Sequence, residues 1–379
     1  MHCLHLMPMD SSINTDLIVQ LNLHFDPAEH LFVLKQMHPK AVNIPNCIAA
    51  PEYFTIEYIN QHYTEYNAIF LHSLYLSQNE LLALHKDAAS RMIWCVWGHD
   101  LYHVRRKEKM AFSDHVHNTV HFLKKVGRCT HLREYRKRQQ AARVVSRFRC
   151  VLIGYPYDRV MLRKRYGNHV PIEIAPYFSD FDKDDMQQLY QQQCTEHHKG
   201  VNILIGHCGF HFIEHETYLR RLSRYRDQDI HIHLVLSYGA SEEESRRIRN
   251  TAFQLFREDQ ITIIDTMMTK QDYHAFLSTM DIAIFPYEHQ SGVFNTVLLS
   301  YLGKKLYFAP NGVLFRGFRE MGLPVFDCTT IGQKPFPQFI QAPEPTDHAC
   351  SLFDIYHNAR NIQRWNEVLH KYAHHDGRK

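Results

Sequence analysis

The sequence has no apolar run approaching the roughly 18 residues a bilayer-crossing helix requires, so a membrane-spanning helix is not expected. Glycine and proline number only 15 each in 379 residues, which excludes collagen-like and linker-dominated chains. The nine cysteines include no C-x-x-C pair and no regular spacing. Reduced thiols in a cytoplasm are expected rather than a disulfide framework. The segment from Met1 to Met7 has no basic stretch leading into a long apolar one, so no secretory signal is read. G-x-G-x-x-G, the P-loop G-x-x-x-x-G-K-[ST], a D-x-D element after a strand and any repeat of 20–50 residues are also missing. A P-loop NTPase and a solenoid are thereby set aside.

What is present is ordinary globular composition, 45% hydrophobic and 22% charged. At roughly 100–200 residues per domain, that length makes two or three domains. The formal charge of +3 hides an asymmetry. Between Leu101 and Arg149 stand 14 Lys and Arg against Glu108, Asp114 and Glu134, a net +11 in 49 residues, so the remainder carries −8. Such a block is either a solvated helical face or a surface for anions such as phosphates, acidic headgroups or nucleic acid.

Short apolar, β-branched runs alternate with longer amphipathic stretches along the whole chain. Strands are expected at His2–Met7, His30–Lys35, Tyr66–His72, Met92–Trp97, Arg149–Gly154 and His169–Ala175. A second set is expected at Val201–Gly206, Ile230–Leu236, Gln260–Asp265, Asp281–Phe285, Lys305–Ala309 and Pro324–Phe326. Helices are expected at Ser77–Lys86, Glu214–Arg224, Ser241–Arg257, Gln271–Met280 and Val293–Leu302. This alternation implies an α/β chain of two doubly wound parallel-sheet domains. The polar stretch Phe181–Gly200 reads as the hinge, giving domains at 1–190 and 200–345. Residues 346–379 read as one last helix, Ile355–Lys371, and a frayed tail.

Ligands of open parallel sheets sit beyond the C-terminal strand ends, near helix N-termini. Gly206 and Gly209 follow one such strand and let backbone N–H groups approach an anion. Gln290 and Gly292 follow another, where a helix opening at Gly292 would present its positive end to a diphosphate. In the first half, Trp97-Gly98-His99-Asp100-Leu101-Tyr102 places a carboxylate after a strand. Asp100 could be a general base or a helix cap. His72, at another strand end, and Asp10 are further polar candidates. The 29 histidines include His207, His211 and His215 at i, i+4, i+8, with i, i+2 pairs at His115/His117 and His231/His233. Gly209 breaks the helix that would align the first three, and no metal site is expected.

These motifs resemble glycosyltransferase family 56, the TDP-N-acetylfucosamine:lipid II N-acetylfucosaminyltransferase or 4-alpha-L-fucosyltransferase family. The resemblance runs in order through Trp97-Gly98-x-Asp100-Leu101-Tyr102, Gly206-x-x-Gly209 with Glu214-His215, and Ser237-Tyr238-Gly239. It continues through Asp272-Tyr273, Asp281 leading to Gln290-x-Gly292, and Leu302-Gly303-Lys304-Lys305, from about Tyr66 to Phe326. There are departures. The family's G-N-S-G reads Gly206-His207-Cys208-Gly209, and its R-Q-Q-G-[IL]-G reads His289-Gln290-Ser291-Gly292-Val293-Phe294. A cation opposite the diphosphate thus becomes a histidine.

The resemblance implies a GT-B architecture, two Rossmann-like domains facing a central cleft, and metal-independent transfer without a cofactor. The sugar would be a deoxy-amino sugar, moved from a TDP-sugar to a polyprenyl-diphosphate-linked saccharide. It would act peripherally on an anionic membrane surface, the cytoplasmic side of the bacterial inner membrane, in enterobacterial common antigen synthesis. Gly206, Gly209, Glu214, His215, Ser237, Tyr238, Gln290 and Gly292 would form the donor side. Asp100 and His72 would be the catalytic candidates. Trp97, Tyr102, Arg105 and Arg106 would face the acceptor or membrane. Rival readings are a nucleotide-sugar epimerase of the same architecture, or a nucleic-acid-binding protein using the basic block, although no nucleic-acid partner is expected.

Overall fold

The computed structural model describes residues 2–9, 11–37, 39–102, 136, 139–178, 187–191, 199–344 and 348–373. Asp10, Arg105, Arg106, the His115/His117 pair and most of the basic block lie outside them. The chain divides into two compact units, Met1–Phe178 with Asn361–Lys379, and Ser179–Arg360.

The first unit is built on seven strands: β1 Cys3–Met7, β2 His30–Leu34, β3 Cys47–Ala49, β4 Ala68–His72, β5 Met92–Cys95, β6 Cys150–Ile153 and β7 Ile172–Ile174. Their order is β3-β2-β1-β4-β5-β6-β7, and every pairing is parallel. The second unit has β8 Val201–Ile205, β9 Ile230–Val235, β10 Ile261–Ile264, β11 Ile282–Phe285, β12 Lys305–Phe308 and β13 Phe326–Asp327. These are also all parallel, in the order β10-β9-β8-β11-β12-β13. Both units thus carry the doubly wound order, reversing direction between β1 and β4 in one and between β8 and β11 in the other. Strands buried on both faces explain the near-continuous apolar runs: every residue of β4, β5, β6, β11 and β12 is buried.

Each of the twelve expected strands is present; eleven are trimmed, by one to four residues, and the last is shifted to Phe326–Asp327. β3 was not expected, and the helix expected at Ser77–Lys86 is two pieces, Gln78–Ala83 and Lys86–Ala89. A capping box of Ser77 and Glu80 opens the first piece. Leu84 leaves helical geometry with ψ 130, and His85 then caps the second.

The segment after 346, expected as one helix and a tail, forms two helices, His348–Tyr356 and Asn358–Tyr372. The second packs on the first unit. Trp365, Val368, Leu369 and Tyr372 join Cys3, Phe32, Phe70, Cys95 and Cys150 in one core. Trp365 is fully buried and its Nε1 donates to the Pro176 carbonyl at 3.1 Å, while Lys371 Nζ lies 2.7 Å from Glu173. Truncating a buried tryptophan of this kind costs about 3–5 kcal/mol.

Among the described residues no helix is long and apolar enough to cross a membrane. Cys3, Cys47, Cys95, Cys150, Cys208 and Cys328 are free and buried. Burial pushes Cys47 up to about 11 and Cys3 up to about 12, so neither is a ready thiolate at neutral pH.

Candidate functional site

In the second unit the direction reversal brings the loops after β8 and β11 together. Gly206 has φ +68, and its N–H donates to the Ile284 carbonyl at 2.8 Å. A Cβ there would lie 2.4 Å from Ile213 Cδ1, so only glycine allows this closure. The Gly209 N–H donates to the Tyr238 carbonyl at 2.7 Å, and a Cβ on Gly209 would meet Ala240 Cβ at 2.5 Å. That contact draws the loop Ser237-Tyr238-Gly239 against the end of β8.

His207 fixes the opposite side. Its Nδ1 lies 3.2 Å from the Tyr287 hydroxyl and its Nε2 3.2 Å from Ser291 Oγ. The Tyr287 hydroxyl donates to the Ser291 carbonyl at 3.0 Å, so His207 supplies the hydrogen at Nδ1 and accepts from Ser291 at Nε2. Burial, with His289 and His215 adding to it, holds His207 down at about 4, which keeps this imidazole neutral. It therefore braces the 287–291 loop as a neutral ring bonded through both nitrogens.

Behind this brace Gly292 adopts φ +59 and opens the helix Val293–Tyr301, offering no side-chain cap. The N–H groups of such a first turn have no intrahelical partner and face the positive dipole end. Two nearby side chains hold buried polar atoms with no partner, Gln290 Oε1 and His215 Nε2. A buried acceptor without a donor costs roughly 1–3 kcal/mol, so a ligand that supplies the donor recovers it. His289 packs edge-on to Phe212 at 4.5 Å, and burial lowers it to about 4. Burial does the same to His215. Tyr238 is 42% exposed with its ring edge-on to Phe210, and Ser237 is half-buried. Glu214 is exposed, and at φ 52 it is the N-cap of His215–Leu222, without a side-chain cap bond.

Two further motif residues, Asp272 and Asp281, make local structural bonds. Asp272 pairs with Thr269 to cap the helix Lys270–Ser278. Asp281 accepts from the Asn202 N–H at 2.8 Å at the N-terminal ends of β8 and β11, away from the ligand loops. Among the described residues no group of three or more His, Cys, Asp or Glu is placed to hold a metal ion.

In the first unit the expected catalytic pair is engaged internally. Asp100 is 7% exposed and accepts four N–H bonds: Oδ2 from Leu74 N at 2.8 Å and Trp94 Nε1 at 2.7 Å, Oδ1 from Trp97 N at 3.1 Å and Leu101 N at 3.0 Å. That is the bonding of an anchor holding the 97–101 turn to the ends of β4 and β5. Asp100 lies within the short helix His99–Tyr102 rather than at its N-cap, and these four bonds occupy both of its oxygens.

His72 is fully buried in a row of rings. Trp97 Nε1 donates to the Tyr177 oxygen at 2.5 Å, Tyr177 bonds His72 Nδ1 at 2.6 Å, and His72 Nε2 bonds His5 Nδ1 at 3.0 Å. His5 Nε2 then bonds His30 Nδ1 at 3.0 Å. Burial lowers His72 to about 3 and His30 to about 4, and takes His5 well below its usual value, so the row is neutral. His72 is thus bonded through both ring nitrogens, to Tyr177 and to His5. Tyr102 hydrogen-bonds Asp158, a buried carboxyl that desolvation raises to about 7 and whose Oδ2 has no partner.

Sequence reasoning missed Ser73, which follows β4 with φ 93 and is strained for a non-glycine residue. Its Oγ lies 3.2 Å from Nε2 of His99, an exposed imidazole. Tyr177 and Asp158 were missed as well. Asp158 follows β6, where the strand-end rule could have found it, whereas Tyr177 carries no local signal.

Solved structures resemble the chain over nearly all its length. HepE from Anabaena in complex with UDP has 12% identity and a TM-score of 0.61, covering 98% of this chain and 100% of that one. A glycosyltransferase from Rickettsia africae has 10% identity and a TM-score of 0.61, covering 99% of each. Sucrose-phosphate synthase from Thermosynechococcus elongatus has 10% identity and a TM-score of 0.59, covering 98% and 99%. At these identities the likeness shows the fold, two parallel-sheet units of GT-B type. Together with the family match below, it makes the chain a glycosyltransferase of the GT-B fold. Within that class, residues 175–337 match the family described as 4-alpha-L-fucosyltransferase, glycosyl transferase group 56. The match spans Gly206 to Lys305 and excludes the Trp97–Tyr102 motif.

Proposed function

We propose that the loops after β8 and β11 bind a nucleotide-diphosphate sugar, with TDP-N-acetylfucosamine or a similar deoxy-amino sugar as the donor. The observation that carries this reading is the buried, unpartnered Gln290 Oε1 beside the Gly292 helix N-terminus, inside the stretch that matches the fucosyltransferase family. HepE, of the same fold, was solved with UDP. When the bond from the anomeric carbon to the diphosphate breaks, negative charge grows on the leaving oxygen. N–H groups already aimed at that position stabilise it without reorganisation. Gln290 Oε1 accepts from a sugar hydroxyl or the base, which sets donor choice.

The acceptor in this proposal is a polyprenyl-diphosphate-linked saccharide at the cytoplasmic face of a bacterial inner membrane. The exposed His99, held by Ser73, is the group at the ends of β4 and β5 suited to meet an acceptor hydroxyl. Asp100 and the row behind Tyr177 act as positioning groups for that edge.

Titrating TDP- and UDP-sugars by thermal shift tests the donor assignment, because a ligand that binds the native state raises Tm. Gln290→Ala removes a buried unpaired oxygen, so apo stability should hold while donor affinity falls about tenfold. Unchanged affinity would take Gln290 out of the site, and no shift with any sugar nucleotide would remove the donor reading.

A further inference from the structure

The helix His215–Leu222 and the turn Ser223–Tyr225 that follows it carry Arg220, Arg221 and Arg224, with Arg226 just beyond. One cation there would complement the negative end of the helix. Three of the four instead line a single cavity of about 340 Å³, together with Ile331, Gly332 and Gln333. That volume falls within the range of small-ligand sites, and no carboxylate is among the lining residues.

The wall is held in shape by backbone. Arg221 donates to the Thr329 carbonyl, and Arg224 donates one N–H to the Gly332 carbonyl at 2.8 Å. Each of these bonds uses one of five guanidinium N–H donors, leaving edges that match the oxygens of a phosphoryl group. Gly332 permits the approach. Its φ is +78, and a Cβ would lie 2.6 Å from the Arg221 carbonyl oxygen. Gln333 donates its Nε2 to the Thr329 carbonyl at 2.9 Å, which orients its amide. Arg220 is the most loosely held of the three, 3.8 Å from a Glu216 carboxylate that Arg247 approaches to 3.3 Å.

The cavity is also remote from the donor loops. The helix starts beside them, at the C-terminal end of β8, and returns the chain to the start of the parallel β9. Its last turn therefore lies at the opposite edge of the sheet, about 12 Å along the helix axis.

We propose that this cavity is a second anion site, which takes a phosphoryl group on a small molecule or headgroup through Arg220, Arg221 and Arg224. The side-chain oxygen of Gln333 accepts from a hydroxyl on the same ligand. The assignment does not depend on the donor reading.

The probe is glycerol 3-phosphate, titrated calorimetrically into the full chain, with phosphatidylglycerol vesicles as a separate arm. Saturable glycerol 3-phosphate binding that weakens about tenfold or more in Arg220→Gln, and is unaffected by Gln290→Ala, supports a site for a soluble ligand. Arg220-dependent binding of the vesicles alone supports the same site with a lipid headgroup as its source. Because Arg224 also bonds backbone, Arg220→Gln is the primary variant. Arg224→Gln is read only where its Tm matches the parent, and should weaken binding similarly. Binding equal to the parent in Arg220→Gln, binding lost in Gln290→Ala, or no binding of either probe overturns the proposal.

Discussion

Both oxygens of Asp100 accept N–H bonds from Leu74, Trp94, Trp97 and Leu101. Asp100→Asn would turn an amide NH2 toward some of those donors and leave them unpaired. It should destabilise the first unit by about 1–3 kcal/mol in denaturant unfolding. Normal stability with lost turnover would instead return Asp100 to the chemistry. Gly206→Ala forces both a positive φ and a contact with Ile213, so it should cost more than about 1 kcal/mol and weaken donor binding together with stability. The placement of Gly206, Gly209 and Gln290 in loops after β8 and β11 was legible because strand ends can be located from one sequence. The bond between His72 and Tyr177 spans 105 positions, and nothing local marks either end.

Among elements, strand periodicity was the readable signal, because strands buried on both faces leave continuous apolar runs. β3 is only three residues long and one of them is exposed, so it leaves no run to read. The break at Leu84 follows from backbone geometry that amphipathic spacing does not encode. At the N-terminus of His215–Leu222, Glu214 holds a left-handed conformation without donating or accepting a side-chain cap bond. Glu214→Gly should relieve that strain and stabilise the chain by about 1 kcal/mol in thermal unfolding. If donor affinity falls in the same variant, the exposed carboxylate itself contacts the ligand.

Over the whole molecule, both units bury neutral histidines: His5, His30 and His72 in one, His207 and His215 in the other. Burial lowers all five, with His72 at about 3 and His30, His207 and His215 at about 4, against 6.5 when unfolded. Between those values the unfolded chain binds more protons, so stability is full above pH 6.5 and is lost as pH falls towards about 4. One unit below 6.5, each histidine withdraws about 1.4 kcal/mol. Tm should therefore drop steeply between pH 6.5 and 5, and a flat Tm across that window would show that these rings are not held neutral. His72→Phe should shorten the drop while breaking the bond to Tyr177.

The first unit is also discontinuous in the chain, since Asn361–Lys379 completes a core begun at Cys3. During synthesis the second unit, continuous from Ser179 to Arg360, is fully made before Trp365 leaves the ribosome. The first unit's sheet must then wait with part of one face uncovered, beside the Leu17, Ile18 and Leu21 that already pack on it, and a chaperone that shields apolar strands would find its substrate in that interval. A chain stopped after Arg360 would remain in that waiting state.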